Sequence, residues 1–244
     1  MKDNFSEQSE FYAKFRPTLP IEFFDYVIEL APGRDLAWDC GTGNGQSAYI
    51  LSNFFKQVKA TDISEKQLKN AVQKSNIKYS RQPAEQTDFE DGSFDLIMVS
   101  QAIHWFDFDL FFKEAKRVLK PDGILAVAGY DLPRLSPEIN QLVQKLYKET
   151  LDGFWDGERK YVEDHYVNLP FPLEEIKIPD FHIHDEWEPA HLTGYLNSWS
   201  GLQHFIREKG YNPLDQMQDE FEEAWGGAAT QKVIFPVFSR IGRK

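Results

Sequence analysis

The sequence predicts a doubly wound α/β fold, built on a mostly parallel seven-stranded sheet with an antiparallel last strand. Three observations carry this. Between about residues 36 and 130, short apolar runs alternate with helix-period patterns, which is how a parallel sheet with crossover helices reads. A glycine-rich stretch, "DCGTGNGQ" (39–46), closes the first apolar run and opens a helical pattern. The run "FDLIMVSQA" (94–102) is almost wholly apolar, as suits a central strand buried on both faces.

In chain order, "PIEFFDYVIEL" (20–30) predicts a helix against the sheet, preceded by an aromatic and basic arm, "FYAKFRP". "DLAWDC" (35–40) is the first strand, "GQSAYILSNFF" (45–55) a helix, and "VKATD" (58–62) a second strand finishing on Asp62. Ser64 caps a helix in "SEKQLKNAVQKS", where Leu68, Ala71 and Val72 recur at helical spacing. "IKYSRQPAEQ" holds a short third strand. After the fourth strand, "LFFKEAKRVL" places Phe111, Ala115, Val118 and Leu119 on one face of a helix. "KPDG" stops that helix and turns into a fifth strand, "ILAVAGY" (124–130). Residues 131–200 show weaker periodicity, many aromatics and several prolines, which fits an inserted cap better than more sheet. The tail "KVIFPVFSRIGRK" reads as the final strand, with Pro236 favouring an edge position or a bulge.

Composition narrows the class of function. A chain of 244 residues buries enough surface to need no disulfide or metal. The single cysteine, Cys40, cannot form an internal disulfide, and with the polar start "MKDNFSEQSE" it points to a reducing, cytoplasmic setting. No apolar run is long enough to cross a bilayer. The net charge of −12 argues against nucleic-acid or anionic-membrane partners, since phosphates are held by clustered Lys and Arg. Aromatic residues make up 15% of the chain, and many lie outside the predicted core strands, where they suit an apolar pocket or cap.

The glycine loop joins a buried strand to a helix, so its amides gather at the carboxyl edge of the sheet, where such folds bind ligands. Its glycines, Gly41, Gly43 and Gly45, give GxGxG, and Gln46 stands where a dinucleotide fingerprint has its last glycine. No Lys-Ser or Lys-Thr follows, which excludes a P-loop. Asp39, at the tip of the first strand, would repel a pyrophosphate but suits an ammonium. Asp62, at the tip of the second, is placed to accept hydrogen bonds from ribose hydroxyls. One carboxylate for a cation and another for a ribose describe an S-adenosyl amino acid better than NAD.

At these residues the sequence resembles the class I S-adenosylmethionine-dependent methyltransferases, through "DCGTGNGQ", "ATDIS", "AEQTDFEDGSFDLIMVSQAIHWF" and "VLKPDGIL". "FSEQSEFYAKFRPTLP", "QAIHWFD" and "YLNSWS" extend the likeness to the trans-aconitate methyltransferase-like branch, some of whose members methylate a small carboxylic acid. The resemblance implies a Rossmann-like domain with an N-terminal arm and helix (1–34), a cofactor-binding core (35–130), a cap that binds the acceptor (131–230) and a final strand (231–244). It implies S-adenosyl-L-methionine as cofactor. Gly41, Gly43 and Gly45 would let the backbone approach the methionyl and ribose portions, Asp39 would favour the amino group and Asp62 the ribose hydroxyls. Ala84 and Glu85 would lie beside the adenine, and Gln101 would border the sulfonium. Tyr12 and Arg16 would fold over from the arm to close the site, with Arg16 suited to a carboxylate. The expected partner is a small-molecule methyl acceptor, with the protein a monomer or weak homodimer.

Other residues carry two readings each. His104 is either a structural histidine or a base or hydrogen-bond donor at the acceptor; a carboxylate acceptor needs no base, whereas a hydroxyl or amine would need one. Trp105 suits a pocket wall, with a cation–π contact to the sulfonium as its alternative. Trp199 suits packing at the base of the cap, with Asn197 and Ser200 near the acceptor. Arg134, Arg159 and Lys160 are candidates for orienting an acidic acceptor. The histidines of "FHIHDEWEPAH" alternate as one strand face does, and no second cluster completes a metal site. The competing classes are a nucleoside-binding protein without catalysis and an NAD-linked oxidoreductase.

Overall fold

The computed structural model describes residues 15–244. The alternation read from the sequence becomes α1 (Ile21–Leu30), β1 (Leu36–Cys40), α2 (Gln46–Leu51), β2 (Gln57–Asp62), α3 (Glu65–Lys69), β3 (Ile77–Arg81), β4 (Phe94–Ser100), α4 (Phe108–Val118) and β5 (Leu119–Tyr130). The second half adds α5 (Pro137–Lys145), α6 (Arg159–Glu163), β6 (Glu174–Ile176), β7 (Phe181–Trp187), α7 (Pro189–Asn197), α8 (Ser200–Lys209), α9 (Pro213–Gln216), α10 (Gln218–Trp225) and β8 (Gln231–Arg243).

The strands form one sheet in the order β3–β2–β1–β4–β5–β8–β6, with β7 also paired to β8. β1 to β5 are mutually parallel, and β8 runs antiparallel to β5. β6 pairs with Ile241–Arg243 of β8 and β7 with Gln231–Val237, so the two lie end to end along one side of β8. Among the described residues, eight strands therefore fill the seven positions that the sequence predicts. Part of the segment expected to be cap is thus sheet. Alternation does place a face there, since Ile183 and Trp187 of β7 are buried while His182 and His184 are exposed.

Pro236 departs from its expected setting. β8 is flanked on both sides, by β5 and by β7, so it is no edge strand. The last β5 partner is Tyr130, opposite Val237, and beyond it the amide of Asp131 donates to the Pro236 carbonyl at 2.9 Å. The imide nitrogen faces the side from which β5 has just ended, so no ladder bond is lost.

Two helices stop earlier than their sequence patterns. After α3, the amide of Val72 bonds the Asn44 carbonyl at 3.1 Å, which draws the chain back to the glycine loop. After α2, the Asn76 side-chain amide donates to the carbonyls of Ser52 and Phe55, at 2.8 and 3.1 Å, and so takes over the role of the next helical turn.

The core lies on both sheet faces, because β4 and β5 are apolar at nearly every central position. Leu96, Met98 and Ala126 share a cluster with Phe23 and Phe24 of α1, Trp187 of β7 and Trp199 at the start of α8. Ile97, Val99 and Val127 face α4 and the segment around Tyr166. Asp95 anchors the amino end of the sheet from the interior, 1% exposed. Its Oδ2 accepts the amides of Asp35 and Leu36, both at 3.0 Å, and its Oδ1 accepts Lys120 Nζ at 2.8 Å. Asp95→Ala strips two amides and a cation of their acceptor and should cost about 3 kcal/mol of stability. A urea-unfolding midpoint that did not move would contradict this. Among the described residues no helix is long and apolar enough to cross a membrane.

Candidate active site

The loop after β1 turns sharply because its ends are tied to β2. The amides of Gly41 and Thr42 both donate to the Thr61 carbonyl at 2.9 Å. Gly41 has φ +69°, and a Cβ there would come within 2.7 Å of the Ala102 Cβ, so both backbone and space require glycine. Gly43, at φ +55°, has nothing within 4 Å of a built Cβ, and so presents bare backbone to an open cleft.

Two carboxylates hold this loop. Asp39 is 1% exposed, and its Oδ2 accepts the Thr42 hydroxyl at 2.5 Å and the Ala48 amide at 2.8 Å. Burial pushes its pKa up to about 7, with nearby Asp62 adding to the rise and the two hydrogen bonds opposing it. Asp62 Oδ2 accepts the Gly43 amide at 2.9 Å, and its Oδ1 accepts the Ser64 amide at 2.8 Å. Asp62 also lines the open space beside the loop. Between them opens a cleft of about 120 Å³ at the carboxyl edge of the sheet. Asp39, Gly41, Gly43, Asp62 and Gln101 line it, with Ile63, Ala102 and Phe106 supplying apolar wall.

A second chamber, of about 40 Å³, adjoins the cleft, and Arg16, Gln101 and Trp105 line both. That is room for roughly three waters, so the chamber suits a small molecule. Its other walls are His104, Trp155, Asp156, Arg159, Trp199 and Ser200. Gln101 is held in the shared wall at φ +52°, a conformation costly for a residue other than glycine. Its amide donates to the Ala128 carbonyl at 2.8 Å, and its Nε2 to the Tyr130 carbonyl at 3.1 Å.

The chamber is cationic. Arg16 Nη2 donates to the Ser198 carbonyl at 3.0 Å, and its guanidinium lies over the Tyr195 ring at 5.3 Å. Arg159 Nε donates to the Tyr147 hydroxyl at 2.9 Å, and the group stacks over the Tyr147 and Trp155 rings at 5.2 and 5.0 Å. His104 Nδ1 lies 3.0 Å from the hydroxyl of fully buried Tyr166. Burial lowers the His104 pKa to about 3, with Arg159 and Arg16 adding to the effect. The imidazole is therefore neutral at physiological pH, and too weakly basic to take a proton efficiently.

Most of the predicted site residues meet here, but not all. Asp39, Gly41, Gly43, Asp62, Gln101, Arg16 and Trp105 line the cleft, while His104 and Trp199 line the chamber. Gly45 does not reach the cleft: it caps α2 at φ +85°, beneath the Tyr79 ring. Ala84 and Glu85 also lie outside the walls. Ala84 is packed in the core with Ile103 and Phe106, and Glu85 Oε1 accepts the Asp107 amide at 3.0 Å at the start of α4. Tyr12 falls outside the described residues. Of the candidate orienting groups, Arg159 reaches the chamber; Arg134 is exposed near Asp131, and Lys160 lies over the Tyr161 ring. Ser200 lines the chamber, whereas the Asn197 side chain is engaged by Asn212 and the Thr193 carbonyl. Burial raises the Cys40 thiol, so it is no nucleophile. Trp155, Asp156 and Tyr166 carry no signal that sequence reasoning picked out, although "FWDGER" does set an aromatic, an acid and a base close together.

Comparison with known proteins bears on the family. The methyltransferase domain model matches residues 38–127. A candidate methyltransferase of Dictyostelium discoideum is 33% identical over 250 residues, covering 99% of this chain and 95% of its own. The 2-methyl-6-phytyl-1,4-hydroquinone methyltransferase of Synechocystis sp. is 36% identical over 192 residues, 75% of this chain and 58% of its own. The solved structure of a candidate type II methyltransferase from Anaeromyxobacter dehalogenans superimposes with a TM-score of 0.87 at 37% identity, covering 94% of this chain and 98% of that one. Likeness of this extent, over a loop and strand tips suited to a nucleoside, places the chain in the class I S-adenosylmethionine-dependent methyltransferases.

Proposed function

We propose that this methyltransferase esterifies a carboxylate of a small organic acid. The observation that carries the reading is the pair of guanidinium groups, Arg16 and Arg159, facing a small chamber that shares a wall with the cofactor cleft. Bound S-adenosylmethionine supplies a methyl group already activated by the sulfonium charge. Asp39 and Asp62 would hold the ammonium and the ribose of the cofactor, and Gly43 would let the backbone approach them. Ile63, Ala102 and Phe106 would offer the adenine an apolar surface.

The rest of the task is alignment. Arg16 and Arg159 fix the acceptor carboxylate, and Gln101, between cleft and chamber, sets the line along which donor and acceptor meet, with reacting atoms held at roughly 3–3.5 Å. A carboxylate oxygen is already nucleophilic at neutral pH. It forms the new O–CH₃ bond as the C–S pair returns to sulfur, and no proton moves. Neutral His104 fits this chemistry as a hydrogen-bonding wall, whereas a hydroxyl or amine acceptor would ask it for a basicity it lacks. The aromatic surfaces of Trp105, Trp155 and Trp199 exclude water from the transfer.

Labelled S-adenosylmethionine offered with small acids, amines and phenols tests the proposal. The label should enter acids as base-labile methyl esters. Arg159→Ala should lower kcat/KM for them about 100-fold, by roughly 2.7 kcal/mol, because one charged partner of the carboxylate is lost. Transfer to amines or phenols alone would overturn it.

A further inference from the structure

Asp156 stands in the wall of the cationic chamber with an oxygen that no described residue hydrogen-bonds. Its side chain is 13% exposed, and its Oδ2 is enclosed without a hydrogen bond. His204 Nδ1 approaches Oδ2 to 4.0 Å, but that nitrogen lies 3.0 Å from the Phe154 carbonyl, which can only accept, so its proton is directed there. The guanidinium groups are held elsewhere, Arg159 by Tyr147 and Arg16 by the Ser198 carbonyl. An enclosed carboxylate oxygen without a hydrogen bond is costly, and a donor on a bound ligand is one way to offset that cost.

Two guanidinium groups, one carboxylate and a neutral imidazole give the chamber a net charge of about +1. Such a chamber favours an acceptor that carries a positive or donating group beside its carboxylates. We propose that the acceptor is a carboxylic acid bearing a hydrogen-bond donor, a protonated amine or a hydroxyl, and that Asp156 receives this donor. The inference rests on the carboxylate reading above and sharpens it. A plain polycarboxylate would set one of its charges against Asp156, so Asp156 selects against it. The donor group keeps its proton throughout, and the methyl group still passes from sulfur to a carboxylate oxygen.

Skeleton-matched small acids decide the matter: succinate against malate and aspartate. Each is offered with labelled S-adenosylmethionine, and its binding is measured calorimetrically beside S-adenosylhomocysteine, for the wild type and Asp156→Asn. The wild type should prefer the donor-bearing acid at least tenfold in kcat/KM. In Asp156→Asn that preference should collapse, chiefly through KM, with S-adenosylhomocysteine affinity unchanged. Equal use of plain and donor-bearing acids by the wild type, or a ratio untouched in the variant, overturns the role of Asp156 and leaves the carboxylate reading standing. If no acid of either kind binds or is methylated while S-adenosylhomocysteine still binds, both fall. Should the variant lose S-adenosylhomocysteine binding through misfolding, the wild-type ratio alone settles the role of Asp156, a tenfold preference upholding it and an even ratio overturning it.

Discussion

Asp62→Ala should weaken S-adenosylhomocysteine binding about 100-fold, a loss of roughly 3 kcal/mol. The carboxylate has two tasks. It positions the loop through the Gly43 and Ser64 amides, and in the proposed complex it also accepts from the ribose hydroxyls. Removing it strips the ribose of a charged partner and loosens the backbone that the nucleoside approaches. Asp62→Asn keeps one acceptor oxygen and should recover part of the loss. Calorimetry on both variants separates the two tasks. If affinity for S-adenosylhomocysteine is unchanged in Asp62→Ala, the ribose assignment is wrong.

Cofactor affinity should also rise steeply with pH up to about 7, because Asp39 must be ionised to hold the ammonium of the ligand. Its carboxyl is buried and its pKa stands at about 7 in the folded protein, against an ordinary value of 3.8. The sign follows from the protons bound. Between about pH 4 and 7 the folded state holds a proton that the unfolded state has released, so this group's contribution to stability falls as pH rises. Above pH 7 the cost is fully present, on the order of 4 kcal/mol from the shift. Below about pH 4 it is absent. A bound ammonium offsets that cost, so ligand binding should expel the proton and lower the pKa. Below the pKa of Asp39, affinity should fall about tenfold per pH unit. S-adenosylhomocysteine shares the ammonium and should show the dependence; adenosine lacks it and should not, and Asp39→Asn should flatten the curve. A dependence of equal slope for adenosine would place the titration elsewhere.

Both predictions concern residues that are plain in the sequence. Asp39 and Asp62 end two apolar strands, and strand order in a βαβ alternation follows from local pattern and right-handed crossover. Their position at one sheet edge is nearly determined by chain order. Gly41 and Gly43 are legible for the same reason, since a short strand-to-helix turn leaves few conformations. The surroundings of Ala84 and Glu85 were not legible, because the chain after β3 is irregular. There the Glu85 side chain turns to the amide of Asp107 and Ala84 sinks into the core, choices made by packing. The sharing of one β8 flank by β6 and β7 was hidden similarly, since three residues of β6 carry too little periodicity to read as a strand.

The amino-acid sequence by itself determined the parallel core, the glycine loop and the two carboxylates at neighbouring strand tips, because each follows from short-range pattern. Only the tertiary structure decided the cationic chamber beside the cleft. Its walls come from residues 16, 101, 104 and 105, then 155, 156, 159, 199 and 200, which no local spacing relates. Long-range packing brings two arginines to one small volume, removes the basicity of His104 by burial and leaves Asp156 Oδ2 without a hydrogen bond. Desolvation depends on everything that surrounds a group, and a linear sequence does not carry that information.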